Sequence, residues 1–283
     1  MSLRLKRVLI TGGGRGIGLA IARAFAGRGA ELVLTDVDPA ALDEARAEIE
    51  TGGARCRTYV MDVTDPAAVQ AVRSRLASDA GAIDVLVNNA GVVFGGPFLE
   101  VPLERHLQTY RVNLEGSVIT TYAFLPDLLA APRGHLVFIA SASGFVGLPR
   151  GTTYASSKWG AIGFAESIRA ELAHQKVENV HVTTVCPGYV DTGLFAGVTP
   201  PRTTHMLSPE ELAEKVVRAV EKRKVWVLEP WLIKLTPLLK NALPTPVADF
   251  LSVAFGASSS MDRWIGHAGG DAGERHEHDA TES

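Results

Sequence analysis

Short apolar runs recur along this chain, and stretches with helical spacing separate them. Residues 7–11, 31–35, 83–87, 134–140 and 180–185 are rich in Val, Leu, Ile and Thr, and 55–61 carries Thr, Tyr, Val and Met. Each has the length and content of a buried strand. Between them lie amphipathic patterns. One follows a glycine cluster at 12–18, one covers 39–51, and one starts at Thr64-Asp65-Pro66 and runs to about 79. Two longer ones cover 103–130 and 154–173, the latter with Lys158, Ile162, Ala165, Ile168 and Leu172 along one face. Residues 225–228 add a seventh apolar run. This alternation predicts an α/β fold, a doubly wound parallel sheet of about seven strands with helices on both faces. The pattern has no internal repeat of solenoid length and no compositional break before about residue 224.

Composition narrows the function classes. With 283 residues and 46% hydrophobic content, the chain can bury a full core. A net charge of −3 gives no reason to expect a nucleic-acid partner. Two cysteines, Cys56 and Cys186, are too few for a disulfide framework and suit a reducing cytoplasm. The first strand follows at once on a short polar N-terminus, so no signal peptide is expected. No apolar run approaches the length of a membrane span.

Strand ends carry the candidate chemistry. The first runs into Gly12-Gly13-Gly14-Arg15-Gly16-Ile17-Gly18 and then a helix. Glycines let a backbone approach a pyrophosphate, and a helix N-terminus offers free N–H groups. The second ends in Asp36, eighteen residues past Gly18, close to where a ribose-binding carboxylate is expected. Asp36 and Asp38-Pro39 also suit a helix cap. The third ends at Asp62-Val63 and the fourth at Asn88-Asn89-Ala90-Gly91. Asn113 lies in a helix interior, where its propensity is poor. Ser141 stands at the end of the fifth run, thirteen residues before Tyr154, with Ser143 as a second candidate. Tyr154 and Lys158, four apart, share a helix face. An ammonium beside a phenol favours the phenolate. Moving a tyrosine from pKa ~10 to ~7 requires about 4 kcal/mol and would make it a general acid or base near neutral pH.

Together these stretches resemble the short-chain dehydrogenase/reductase family. The resemblance rests on Thr11-Gly12-x-x-x-Gly16-x-Gly18, Asn88 to Gly91, Asn113, Ser141, Tyr154-x-x-x-Lys158 and Pro187-Gly188, in the family's order over residues 7 to about 193. It implies a Rossmann-type fold, a nicotinamide cofactor, and hydride transfer between an alcohol and a carbonyl. Tyr154 is then the general acid/base. Lys158 lowers its pKa and binds the nicotinamide ribose, Ser141 holds the substrate oxygen, and Asn113 anchors a water leading to Lys158. Gly12, Arg15, Gly16, Ile17 and Gly18 contact the pyrophosphate side, and Asp62 and Val63 the adenine. Asn89, Ala90 and Gly91 flank the adenosine ribose, while Pro187, Gly188, Val190 and Thr192 flank the nicotinamide. Asp36 favours NAD over NADP, because a 2′-phosphate beside it would meet a like charge. Arg15 pulls the other way. The resemblance also implies a homodimer or homotetramer paired through the two long helices.

Residues 1–229 are expected to form the dinucleotide-binding and catalytic domain. The stretch 230–266 is an apolar extension packed on it, with helices kept short by Pro230, Pro237, Pro244 and Pro246. Its Trp and Leu content suggests a cap over a pocket for a small hydrophobic alcohol or carbonyl, also capable of peripheral membrane contact. Phe94, Phe145, Leu148, Phe195 and Met206 are the expected apolar lining. Residues 267–283 read as a disordered tail, and His267, His276 and His278 as solvated residues with no metal. Two other readings of the scaffold are a non-catalytic cofactor-sensing or partner-binding protein and a sugar-nucleotide epimerase or dehydratase. The intact Asn113, Ser141, Tyr154 and Lys158 set argues against the first, and the lack of an inserted substrate domain against the second.

Overall fold

Alternation within each strand decides the architecture. In β1 (Arg7–Thr11), Val8 and Ile10 join one buried cluster while Leu9 joins another. In β2 (Glu31–Asp36), Leu32 and Leu34 separate in the same way from Val33. A strand that is apolar on both faces needs a helical layer on each. The computed structural model describes residues 3–201, 205–236, 242–254, 256 and 259–266. It shows those two layers. On one side α1 (Gly16–Ala26), α2 (Pro39–Thr51) and α7 (Pro209–Lys222) pack on the sheet. On the other lie α3 (Pro66–Asp79), α5 (Gly116–Ala130) and α6 (Thr152–His174).

The remaining strands are β3 (Cys56–Val60), β4 (Val85–Asn88), β5 (Gly134–Ile139), β6 (Val180–Pro187) and β7 (Trp226–Glu229). All pair in parallel, in the order β3-β2-β1-β4-β5-β6-β7. The order reverses between β1 and β4, which opens a crevice at their carboxyl ends. The glycine turn, Asn88–Gly91, Ser141 and Pro187–Gly188 all leave the sheet at that edge.

Local signals account for the helix starts. Asp38 Oδ1 accepts from the N–H groups of Ala40 and Ala41, and Asp65 Oδ1 from those of Ala67 and Ala68. Ser208 caps α7 by accepting from Glu211 N–H. Each cap is followed by a proline at the first helical position, where its missing N–H is harmless. The expected single helix over 103–130 is instead three pieces. α4 (Leu103–Tyr110) passes through a π-turn (Arg111–Glu115) into α5. Such turns arise where one extra residue is accommodated in a helix and often mark functional positions. This one carries Asn113. Beyond β7 the chain forms a short 3-10 turn (Trp231–Leu235) and α8 (Thr245–Ala254), in keeping with the proline spacing. The expected tail, with His267, His276 and His278, lies outside the described residues.

Candidate active site

The glycine turn is shaped by close approach. Gly12 has φ 62° and Gly16 φ 54°, a region that side-chain-bearing residues seldom occupy. Gly18 lies so close to the preceding strand that a Cβ there would sit 2.1 Å from Gly12 O and 2.7 Å from Asn89 Nδ2. It packs the start of α1 against the turn that follows β1. The N-terminus of α1 has no side-chain cap, so its first N–H groups remain available where Arg15, Gly16 and Ile17 line the cleft. A free helix N-terminus over a glycine turn suits a pyrophosphate.

Thr11 ties this turn to the next one. Its Oγ1 accepts from the N–H groups of Asn89 and Ala90, both at 3.0 Å. Asn89 Nδ2 donates back to Thr11 O and Gly12 O, at 2.9 and 3.0 Å. Asn88, behind them, exchanges hydrogen bonds with Thr120 and Thr121 on α5. Neither Thr11's bridging role nor the Asn88 contacts were legible in the motifs. At the other end of the turn, Asp36 Oδ2 accepts from Gly14 N–H at 3.1 Å. Arg15 donates to Asp38 Oδ2 at 2.7 Å.

These elements enclose one cleft of about 1430 Å³. Gly12, Arg15, Gly16, Ile17, Asp36, Asp62, Val63, Asn89, Ala90, Gly91, Pro187, Gly188, Val190 and Thr192 line it, together with Ser141, Tyr154 and Lys158. Of the expected apolar lining, Phe94 and Phe195 are present. Leu148 packs in the cluster around Tyr154. Phe145 instead lies at a tilt to Trp226, ring centres 6.1 Å apart, and, like Met206, does not line the cleft. The aromatic set was incomplete as well. Phe195 meets the Tyr154 ring edge-on at 5.5 Å and the Tyr189 ring at 5.3 Å, and Trp264 lines the same space.

Asn113 stands behind this wall rather than in it. Its Oδ1 accepts from Val92 N–H at 2.8 Å, and its Nδ2 donates to Val92 O and to Ser157 Oγ, both at 3.0 Å. Ser157 Oγ donates in turn to Tyr154 O at 2.7 Å. The π-turn thus fixes both the loop after β4 and the first turn of α6. Gly91 lies between: a Cβ there would be 3.3 Å from Asn113 Oδ1 and 3.5 Å from Lys158 Nζ.

Electrostatics at the pair depart from the sequence expectation. Tyr154 and Lys158 are 6% and 5% exposed, so burial governs both. It raises the phenol pKa above its usual value, and the hydrogen bond with Ser141 only partly counters this. Burial lowers the Lys158 ammonium from 10.5 to about 8. Each group is pushed towards its neutral form, because desolvation penalises charge. Lys158 Nζ lies 5.7 Å from the Tyr154 ring centre and donates to Ile139 O at 2.9 Å. Burial, partly offset by Ser141, sets the direction at the phenol. Ser141 Oγ accepts from Ser143 N–H at 3.2 Å. Ser143 Oγ is buried with no partner among the described residues and is not part of the lining. Cys186, buried at the end of β6, has its thiol pushed up to about 12 by desolvation and stays a thiol. Among the described residues no cluster of His, Cys, Asp or Glu could hold a metal.

A family model described as short chain dehydrogenase matches residues 6–203. Human epidermal retinol dehydrogenase 2 is 35% identical over 261 residues, covering 91% of this chain and 84% of that protein. A short-chain dehydrogenase/reductase from Burkholderia phymatum, solved in complex with NAD, superposes with a TM-score of 0.79 at 25% identity, covering 91% of this chain and 98% of that one. An alcohol dehydrogenase from the archaeon Thermococcus sibiricus, complexed with 5-hydroxy-NADP, has a TM-score of 0.69 at 31% identity, covering 79% of this chain and 94% of that one.

Proposed function

The chain belongs to the short-chain dehydrogenase/reductase family of oxidoreductases, and from that premise we propose that it interconverts a hydrophobic alcohol and its ketone or aldehyde with NAD(H), Tyr154 acting as general acid/base. One observation carries the reading. Tyr154, Ser141 and Lys158 share a cleft with a glycine turn and a free helix N-terminus, and the space beside Tyr154 is walled by Phe195 and Trp264. When bound, the dinucleotide supplies the hydride donor or acceptor. The chain's own residues do the rest. Ser141 shares a hydrogen bond with the phenol, so a substrate oxygen placed between them would be oriented by both. The neutral phenol is the form that donates a proton to a carbonyl oxygen as it is reduced. In the opposite direction it must first lose its own proton. The retinol relative agrees with a hydrophobic alcohol as substrate. Conversion of lipophilic secondary alcohols, retinoids and steroids with NAD, followed at the reduced-nicotinamide absorbance band, tests the reading. No turnover across that panel by protein that binds NAD would reject it.

Asp36 supports NAD over NADP. Its carboxylate is fixed on the cleft rim by Gly14 N–H, where a 2′-phosphate would meet like charge. The Arg15 guanidinium, the available counter-charge, is held by Asp38. Both cofactors occur among similar structures, so kcat/KM for the two decides it.

The protein acts in the cytoplasm as a homodimer or homotetramer in this reading, with loose contact at a membrane surface. Leu103, Leu107, Val118, Tyr122 and Leu129 are exposed on α4 and α5, as a subunit interface would require. Trp231, Phe250 and Val253 are exposed in the C-terminal part. No helix among the described residues is long and apolar enough to cross a membrane. Sedimentation tests the assembly, and liposome flotation tests the contact.

A further inference from the structure

We propose that Trp264 is a specificity-determining residue of this cleft: its indole closes the space over Tyr154 and selects for substrates with a bulky, uncharged apolar skeleton. This rests on the alcohol–carbonyl reading above and adds a residue and a size criterion to it.

The segment 259–266 is stitched to the loop that follows β6. Thr199 N–H donates to Ser260 O at 3.1 Å, and Tyr189 Oη donates to Ser260 Oγ at 2.8 Å. Ile265 N–H donates to Ala196 O at 3.0 Å, and Trp264 Nε1–H to Leu194 O at 3.1 Å. The indole therefore has a defined position, with its one polar atom satisfied. On its other side it rests on Gly95, in the loop after β4. A Cβ at that position would lie 2.7 Å from Trp264 Cε3 and 2.8 Å from Cδ2. Only a residue without a side chain leaves room for the ring.

Trp264 thus bridges two loops that leave the sheet at β4 and at β6. Tyr154 lies in the cluster they cover: Met261, 1% exposed, packs with Val93, Val198 and Tyr154, with Trp264 against them. Trp264, Ile265 and Gly266 complete the lining beside Leu194 and Phe195. These residues carry no charge themselves, although Arg105 and Arg111 line the same cleft. An extended aromatic and aliphatic wall instead gains from contact with ring or polyene carbon, at a large area per residue.

The test is steady-state kinetics with NAD on the full chain, using cyclohexanol as the small alcohol and all-trans-retinol as the bulky one. Trp264→Ala should lower kcat/KM for retinol relative to that for cyclohexanol by at least ~10-fold, the scale on which pocket contacts discriminate apolar groups, while Kd for NAD stays within about twofold; a ratio that moves the other way overturns the proposal. Gly95→Ala should also move the ratio in the presence of the indole. Added to Trp264→Ala it should do little, since the ring it would strike is gone. Should the alanine variant fail to fold, Trp264→Phe carries the same test, keeping a ring but shortening it and removing the bond to Leu194. A folded Trp264 variant with an unchanged ratio overturns the proposal, and so does a Gly95→Ala effect that is equal with and without the indole. Wild-type protein that binds NAD but turns over neither alcohol removes the substrate reading and the proposal with it. Retained turnover with an unchanged ratio removes the proposal alone.

Discussion

Replacing Lys158 by Met should make the protein more stable at neutral pH while abolishing its activity. The ammonium is buried, and its pKa has fallen from 10.5 to about 8. A displacement of that size means that folding works against about 3 kcal/mol of desolvation wherever the unfolded chain holds the charge. Methionine keeps most of the aliphatic stem without the charge. It also removes the donor to Ile139 O, which costs about 1 kcal/mol. The net expectation at pH 7 is a gain of roughly 2 kcal/mol. The pH dependence fixes the sign. Below about 8 the lysine is charged in both states, and its penalty is fully present. As pH rises from there towards 10.5 the folded protein releases the proton first, the unfolded state binds more protons, and wild-type stability climbs. The advantage of the variant should therefore shrink with pH. Urea unfolding of both proteins without nucleotide, at pH 7 and at pH 9.5, measures it. Taking the difference between the two proteins largely cancels the buried tyrosines common to both. A variant less stable than wild type at pH 7, or an advantage that widens with pH, would refute the claim that burial dominates at Lys158.

Other outcomes follow from the same geometry. Tyr154→Phe keeps the ring and its contact with Phe195 but removes the proton donor, so kcat should drop by at least ~10² with Kd for NAD little changed, as loss of a general acid does. Because burial raises the Tyr154 pKa, the phenolate forms only as pH climbs; kcat/KM for alcohol oxidation should rise into the alkaline range, and a flat or falling profile there would contradict that assignment. Asp36→Ala should narrow a preference for NAD that is expected to be ~10-fold or more in kcat/KM. Asp38→Asn, which can still cap α2 but no longer pairs with Arg15 as an ion, should improve NADP use further in the Asp36→Ala background, and an unchanged ratio there would mean Arg15 never reaches the 2′ position. Tyr122→Asp on the exposed face of α5 should lower the sedimentation coefficient if α4 and α5 form a subunit interface.

Most of the fold was legible because strands buried on both faces announce themselves as continuous apolar runs, and because Asp-Pro pairs mark helix starts; the same kind of signal at Ser208-Pro209, which opens α7, was passed over. The division of 103–130 was not. A π-turn adds one residue without breaking the apolar pattern, so periodicity passes over it, although the unfavourable placement of Asn113 was a local clue. Strand ends shifted by a residue or two: β4 extends to Asn88 because its backbone pairs with Phe138 on β5, while Thr120 and Thr121 on a distant helix satisfy its side-chain amide. The packing constraint on Gly18 was not legible either. A glycine spaced for pyrophosphate contact and one spaced for close packing look alike in sequence, and only the structure shows that a Cβ at Gly18 would sit 2.1 Å from Gly12 O.

The site shows where one-dimensional reasoning ends. Spacing placed Tyr154 and Lys158 on one helix face, and they do lie together. Spacing alone also suggested that the lysine would hold the phenol down, because opposite charges at short range are the only interaction a sequence displays. Desolvation depends on everything else packed around the pair, here Phe195, Met261 and the loops carrying them, some of it more than a hundred residues away. It reverses the expected direction at Tyr154 and weakens the charge at Lys158. The same distant residues that form the substrate wall therefore help set the protonation state of the acid. A substitution that opens the wall, such as Trp264→Ala, would admit water near Tyr154 as well as enlarge the pocket. Its effect on the pH profile of oxidation should then run towards lower pH, in the direction opposite to burial.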